Sequence, residues 1–158
     1  MAVLSWGKPK LEIKTVDGGS WTEITVPIKQ GTATLETEAG EKTEALEEGG
    51  GMVDVRYAKS KYTFTFGLYA KKGASKPISD EDGLVTTNYA LRLTPEDSTT
   101  PGFIMNKANV SVQDTWNSTD GGLWVYTFSA LKPDSGNMLV PYTASSGSGS
   151  GSGSGAGN

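Results

Sequence analysis

The sequence contains neither cysteine nor histidine, and these two absences exclude a large part of enzyme chemistry. Without cysteine, the chain has no disulfide, no thiolate nucleophile and no thiolate metal ligand. Without histidine, it lacks the commonest general base and the commonest zinc ligand. A pair of carboxylates would still suffice for glycoside hydrolysis. The candidate carboxylates here, however, lie in glycine-rich turns or in one glutamate-rich segment. We therefore expect no enzymatic activity and no cofactor.

Long apolar runs and basic clusters are missing as well. No apolar run approaches the ~20 residues of a membrane-spanning helix. The first residues, MAVLSWGKPK, lack the basic-then-apolar pattern of a signal peptide. The net charge is −4, whereas a protein that grips nucleic acid usually carries a clustered Lys/Arg face. We expect a protein that is made and stays in a cytoplasm, with no membrane partner.

The last residues, 144–158, read ASSGSGSGSGSGAGN. A Gly/Ser repeat behaves as a flexible coil that cannot bury a core, so we expect a disordered tail or linker, either native or engineered. The remaining residues, 1–143, have the length of one ordinary domain.

Apolar residues recur with a period of two, which is typical of strands with one buried face. The clearest example places Tyr62, Phe64, Phe66 and Leu68 on one side. The predicted strands are KLEIKTV, WTEITVPI, TATLETE, MVDVRYAK, KYTFTFGLYA, NYALRLT, KANVSVQD and GLWVYTFSAL. This pattern predicts a mainly β fold, an antiparallel β-sandwich or split barrel, with at most one or two short helices. The candidate helices are GEKTEALEE (40–48) and TPEDSTT (94–100).

Two polar motifs have simple interpretations. Asp80, Glu81, Asp82 and Gly83 resemble the beginning of a calcium loop, but position 91, where a closing glutamate would be sought, is Leu. We therefore expect a plain acidic turn and no metal. Because we expect no secretory route, we also expect the sequons at Asn109 and Asn117 to be chance matches.

Aromatic residues leave two alternatives open. Trp21, Trp116, Trp124 and Tyr126 would either form a sugar-binding platform or serve as core and inter-subunit contacts. Near the N-terminus, Val3, Leu4 and Trp6 form a short apolar arm that has little reason to be exposed on a monomer, and we expect it to contact a partner.

One segment concentrates negative charge. Six of the thirteen residues from Glu36 to Glu48 are glutamates, and three glycines follow. The TATLETE strand carries acids where a sandwich strand should be buried. The pattern predicts a strand, a long acidic excursion and a return strand. The excursion is either a solvated loop or an element that reaches another subunit or lines a water-filled space.

The order of these segments resembles the tail tube (major tail) proteins of long-tailed bacteriophages. The first half of the likeness is GTATLETEAGEKTEALEEGGGMVDVRYAKSKYTFTFGLY, and the second is GFIMNKANVSVQDTWNSTDGGLWVYTFSAL. The family is related in fold to type VI secretion and contractile-tail tube proteins. The resemblance implies a subunit that forms hexameric rings, which stack into a hollow tube with a continuous inner barrel.

The resemblance also implies roles for particular residues. Thr34, Glu36 and Glu38 would face an acidic lumen through which DNA passes without specific binding, because like charge keeps DNA from sticking. The loop residues between subunits or rings would be Glu41, Lys42, Glu44, Glu47 and Glu48. The partners would be copies of the chain and other tail proteins, namely the tape measure, terminator and tail tip. The chain would assemble in the host bacterial cytoplasm and reside in the virion tail.

Two other functions remain open at this point. One is a non-enzymatic β-sandwich that binds carbohydrate or protein. The other is a different tail protein of the same fold, such as a terminator or a tail-tip ring.

Overall fold

A computed structural model describes residues 4–144, and ten strands lie in this range. Their bounds are β1 Lys10–Thr15, β2 Thr22–Glu23, β3 Thr34–Glu38, β4 Lys42–Leu46, β5 Met52–Tyr57, β6 Lys61–Tyr69, β7 Tyr89–Thr94, β8 Gly102–Asn117, β9 Gly121–Ala130 and β10 Leu139–Tyr142. The fold is mainly β and antiparallel, as the period-two pattern predicts. Eight strands form one open sheet in the order β2-β1-β7-β8-β9-β6-β3, with β10 also paired to β8. Strands β4 and β5 form a separate two-stranded sheet.

The described residues divide into two compact units. The first contains residues 4–25, 88–108 and 132–144. Its core lies between β1 and β7, where Leu11 is paired with Leu93 and Ile13 with Leu91. On the other face, the Arg92 guanidinium makes two hydrogen bonds to the Glu12 carboxylate, at 3.0 and 2.7 Å. The same guanidinium lies over the rings of Trp21 and Tyr142, with its central carbon 4.6 and 5.0 Å from their centroids.

The second unit contains residues 26–87 and 109–131. Its core is the aromatic row predicted from alternation: Phe64, Phe66, Tyr126 and Phe128 are at most 1% exposed. Cross-strand pairing places Phe64 opposite Phe128 and Phe66 opposite Tyr126. Directly opposite residues share a face of the sheet, so the apolar residues of β6 and β9 are buried together.

Neither predicted helix forms among the described residues, and both of those predictions are wrong. Residues 42–46 of the first candidate are strand β4. Repelling glutamates at 44 and 48 and a length of nine residues make a helix there marginal. In the second candidate, the Asp97 carboxylate accepts hydrogen bonds from the backbone N–H and the hydroxyl of Thr99, at 3.0 and 2.6 Å. These bonds stabilise a turn in competition with a helix.

Candidate assembly site

The outer face of the β3-β6-β9 sheet is polar over the rows that include β3. Residues opposite one another on neighbouring strands share this face. One row contains Thr34, Thr65 and Thr127, and the next contains Glu36, Thr63 and Ser129. Glu38 follows, opposite Lys61. We call this surface the wall face; it consists of Thr34, Glu36, Glu38, Lys61, Thr63, Thr65, Thr127 and Ser129.

The predicted lumen residues therefore come together on one surface. Thr34, Glu36 and Glu38 are all exposed and alternate along β3, while the intervening Leu35 is half-buried opposite the buried Phe64. The wall face presents hydroxyls and carboxylates with one lysine, which gives it a weakly negative character. Such a surface is stable in water and offers no cluster of cations to bind phosphate.

The glutamate-rich excursion is a β-hairpin. Strand β4 pairs with β5, from Lys42 opposite Tyr57 to Leu46 opposite Met52. The backbone N–H of Ala58 donates to the Glu41 carbonyl at the base, at 2.9 Å. At the tip, the predicted residues Glu47 and Glu48 lie in the turn, and the Glu47 N–H donates to Gly51 O, at 2.9 Å. Among the predicted loop residues, Lys42 and Glu44 form an ion pair of 2.7 Å.

The hairpin leaves several large apolar side chains uncovered. Opposite partners place Glu44 with Val55 and Lys42 with Tyr57 on one face, and a register irregularity between Ala45 and Leu46, with Val53 as the extra residue, brings Leu46 opposite Met52. Leu46 is 60% exposed, Met52 53% and Tyr57 67%. We call Leu46, Met52, Val55 and Tyr57 the apolar hairpin face. The opposite face contains Thr43, Ala45, Asp54 and Arg56.

Sequence reasoning placed functional weight on the glutamates and missed these apolar residues. It treated MVDVRYAK as a strand with a buried face, because its alternation is regular. The pairing strand, EKTEAL, indicates otherwise, because Leu46 is its only large apolar residue. The apolar side chains of MVDVRY therefore have few apolar neighbours within the hairpin.

A cleft of about 400 Å³ lies at the base of the hairpin. Its charged lining residues are Glu38, Glu41, Lys59 and Lys61. Gly40 also lines it and lies against the Ala58 backbone, since a β-carbon at Gly40 would overlap the Ala58 carbonyl. The two acids and two lysines balance one another, so the cleft does not favour a ligand of either sign.

The predicted N-terminal arm is exposed where it is described. Leu4 is 61% and Trp6 71% exposed, and Val3 lies outside the described residues. Beside the arm, the Lys8 N–H donates to the Glu96 carboxylate, at 3.3 Å. The arm thus presents two large apolar side chains to solvent.

The four aromatic residues considered for sugar binding have different environments. Tyr126 is fully buried, and its hydroxyl donates to the Ile78 carbonyl, at 2.8 Å. Burial raises the pKa of this hydroxyl to about 12. Trp21 is half-buried under the cations of Lys14 and Arg92, and Trp124 is half-buried. Trp116 is 75% exposed. A buried Tyr126 cannot belong to a ligand platform, so the four do not form one.

The acidic turn is part of a segment that we call the strap, residues 76–84. Lys76 forms ion pairs with Asp80, at 2.8 Å, and with Asp114 on β8, at 3.0 Å. The Asp80 carboxylate also accepts from the Gly83 N–H, at 2.8 Å. The bond from Lys76, followed by that from Gly83, lowers the pKa of Asp80. Within residues 4–144, no group of three or more acidic side chains is placed to hold a metal ion.

The strap also closes one side of the core. Ile78 is 2% exposed, and Leu84 forms a bridge to Ser111 on β8. The Val112 N–H donates to the Gly83 carbonyl, at 3.1 Å. The chain turns back at Asp82 and Gly83, both in the left-handed region with φ of 52° and 87°. The strap therefore occupies the edge of β8 as far as Val112.

No helix within residues 4–144 is long and apolar enough to cross a membrane. In comparisons with known proteins, no family model and no curated protein sequence matches the chain. The tail tube resemblance therefore stays a prediction, and function must be argued from the surfaces described above.

Proposed function

We propose that the chain is a structural subunit that assembles with copies of itself into stacked rings, hexameric as in the resembled family, which form the tube of a bacteriophage tail. The observation that carries this proposal is the β4–β5 hairpin. It is a separate two-stranded sheet whose three largest apolar side chains are more than half exposed. An isolated two-stranded hairpin is at best marginally stable in water, so such an element needs a covering surface.

A second copy of the chain is the partner that this hairpin fits best. Every copy carries the same uncovered faces, the apolar hairpin face and the N-terminal arm with Leu4 and Trp6. Exposed apolar surfaces of this kind are typical of protein–protein contacts. In this proposal the hairpin of one ring contacts the next ring. The charged residues of the hairpin then lie at the rim of that contact: Glu41, Lys42, Glu44, Glu47 and Glu48.

The wall face supports the tube as the product of assembly. One side of this sheet packs against the aromatic core, and the other side, the wall face, carries threonines and glutamates. The wall face is therefore suited to line a water-filled space within an assembly. In a tube, Thr34, Glu36 and Glu38 would line the lumen. DNA passing such a wall meets like charge and hydroxyl groups, so it slides without binding. The virion tail would then be the site of function, and the tape measure, terminator and tail-tip proteins would be further partners.

The hairpin provides the test. Replacing Leu46, Met52 and Tyr57 together with Thr removes the three largest side chains of the apolar hairpin face while keeping residues that favour strands. Each buried side chain of this size contributes ~1.5–3 kcal/mol. We expect assembly to need at least about 100-fold more protein, measured by sedimentation velocity over a concentration series and by electron microscopy.

The matched control places two threonines on the opposite face, Ala45→Thr and Arg56→Thr. This control should assemble like the wild type, and circular dichroism should show the same β content for both variants. If the triple variant assembles at the wild-type concentration, the hairpin is not the assembly element and the proposal loses its main support.

A further inference from the structure

The second unit has two sheet edges that the described chain leaves unpaired. Its strands run in the order β8-β9-β6-β3, so β3 lies at one end and the C-terminal half of β8 at the other. The strap covers the edge of β8 at Ser111 and Val112. Beyond that point, no described segment pairs with residues 113–117 on the side opposite β9. Both free edges are five residues long, since β3 comprises Thr34–Glu38.

The hydrogen bonds of neighbouring residues show which backbone groups point outward from β3. The Gly67 carbonyl accepts from the Lys29 N–H, at 2.9 Å, and the Gly67 N–H donates to the Thr32 hydroxyl, at 3.0 Å. Backbone groups alternate in direction along a strand. Thr63 and Thr65 therefore also point toward β3, where they face Glu36 and Thr34. The outward-pointing groups of β3 then belong to Leu35 and Thr37.

The same reasoning applies to β8. The Val112 N–H donates outward to the strap. By alternation, the backbone groups of Asp114 and Trp116 point outward at the free edge. Each free edge thus has two residues whose N–H and C=O groups point outward. Outward backbone groups at a sheet edge are what another chain's strand pairs with in strand addition.

We infer that β3 of one copy pairs antiparallel with residues 113–117 of β8 of the next copy, with Leu35 opposite Trp116 and Thr37 opposite Asp114. This inference rests on the proposed self-assembly and specifies the joint within a ring. Four strands that alternate in direction make β3 and β8 antiparallel to each other. In a sheet closed into a barrel the strands are tilted and staggered, and their direction keeps alternating from one copy to the next, so the joint between neighbouring copies is antiparallel too.

The side chains favour this register. Alternation with the buried Val110 and Val112 places Trp116 on the apolar face of the sheet, and Leu35 shares that face with Phe64. The joint therefore covers an indole that is 75% exposed in the single chain. On the wall face, Glu36 meets Thr115 and Glu38 meets Gln113, so no carboxylates stand opposite one another there. A shift by two residues would instead place Leu35 against Asp114.

The strap sets this register, and the contact is of the head-to-tail kind from which rings are built. Because the strap occupies Ser111 and Val112, an incoming β3 strand is stopped at Gln113. The two edges are different surfaces, so the contact is head-to-tail, and head-to-tail contacts generate rings when the rotation closes. The wall face stays on the same side in every copy.

Disulfide cross-linking tests the register in a chain that has no cysteine of its own. Glu36 and Thr115 would form a non-hydrogen-bonded pair across the joint, with Cα atoms ~4.5 Å apart, which a disulfide can span. Within one copy, Glu36 lies in the row of Thr63 and Ser129, whereas Thr115 lies beside Leu123. The two residues are three strand spacings apart sideways and six residues apart along the strands, well beyond ~14 Å. A disulfide in the Glu36→Cys/Thr115→Cys variant must therefore join two copies. We expect a ladder of multimers on a non-reducing denaturing gel after mild oxidation of assembled protein.

The controls are the two single variants, which should give dimers at most, and Glu38→Cys/Thr115→Cys, whose cysteines are shifted by two residues and should give no ladder. As a second measure, Trp116→Ala removes an exposed side chain without disturbing the fold and should raise the concentration needed for assembly about tenfold or more.

The outcomes separate this inference from the proposed function. Rings or tubes that form without the Glu36–Thr115 ladder, or a ladder in the shifted control instead, would overturn the register and leave self-assembly intact. Trp116→Ala protein that assembles like the wild type would also contradict the joint. Wild-type protein that never assembles would remove the proposed function and this inference together.

Discussion

At the scale of single residues, a small charge cluster fastens the strap. Lys76 contacts both Asp80 and Asp114, and the Asp80 side chain is only 5% exposed. The hydrogen bond to Asp80, then that to Asp114, raises the pKa of Lys76, while the pKa of Asp80 is lowered. Lys76 and Asp80 are therefore both ionised throughout the neutral range, where their ion pair stabilises the folded chain.

Acid should loosen this cluster. A carboxyl whose pKa is lower in the folded state gives stability that is present above its unfolded pKa and is lost as pH falls through the folded pKa. We expect the free energy of unfolding of the wild type to fall below about pH 4. Asp80→Asn should be less stable at pH 7 and should show a smaller fall in acid. Urea unfolding between pH 2.5 and 7 measures both.

Asp82→Asn is the matched control for this prediction. Asp82 is exposed in the same turn, and asparagine tolerates its left-handed backbone. The control should keep the wild-type pH dependence. Part of the acid slope will persist in Asp80→Asn, because the pKa values of Asp97 and Asp120 are also lowered, by Thr99 and Lys29 respectively. An unchanged slope in Asp80→Asn would show that the cluster does not stabilise the strap.

Residue patterns predicted the core well and the exposed aromatic residues poorly. Phe64, Phe66, Tyr126 and Phe128 follow a period of two and are buried as expected. Trp116 belongs to a strand with the same period, yet it is exposed because β8 extends beyond the residues that cover its apolar face. No local pattern encodes where that cover ends.

At the scale of elements, strands with strong alternation were predictable and strands defined by pairing were not. The β6 and β9 strands were predicted nearly to their ends. Strand β8 was predicted only over KANVSVQD, whereas it runs from Gly102 to Asn117. A register irregularity between Tyr89 and Leu91 shifts the buried positions of β8 from Met105 to Ala108, so its alternation changes phase and one long strand looks like a short one.

Strands β4 and β10 were missed for a different reason. Residues 42–46 are exposed along their whole length and have no apolar face to detect. Strand β10 is four residues long and contains Pro141. A proline argues against a strand prediction, because it has no N–H to donate to a neighbouring strand. Both strands exist because a partner, β5 or β8, pairs with their backbone.

At the scale of the whole molecule, the proposed tube depends on the charge of its wall. Replacing Glu36 and Glu38 with Lys removes two negative and adds two positive charges per copy, in a lumen repeated around each ring. We expect rings to form normally but phage infectivity to fall at least about tenfold, because DNA then meets attractive charge during passage. Plaque counts of phage carrying the variant gene measure this effect.

The control makes the same charge change at two exposed acids away from the wall, Asp17→Lys and Asp134→Lys. Infectivity of these phage should stay at the wild-type level. Wild-type infectivity of the Glu36→Lys/Glu38→Lys phage would show that β3 does not line the path of the DNA.

The candidate site was predictable in part at this scale. The sequence indicated that TATLETE should meet water on a functional face and that the glutamate-rich segment is an excursion between strands. The sequence did not indicate the free edge of β8 or the apolar hairpin face, because both depend on which strands remain unpaired after the chain has folded. The roles of Thr34, Glu36, Glu38 and the hairpin residues stay predictions.

The central claim is self-assembly into rings, and the most direct measurement is negative-stain electron microscopy of the purified protein at high concentration, with light scattering for mass. We expect rings or tubes with a central hole and a mass that is a multiple of the 16.6 kDa chain. A particle of single-chain mass at every concentration, with no rings on the grid, would contradict the claim.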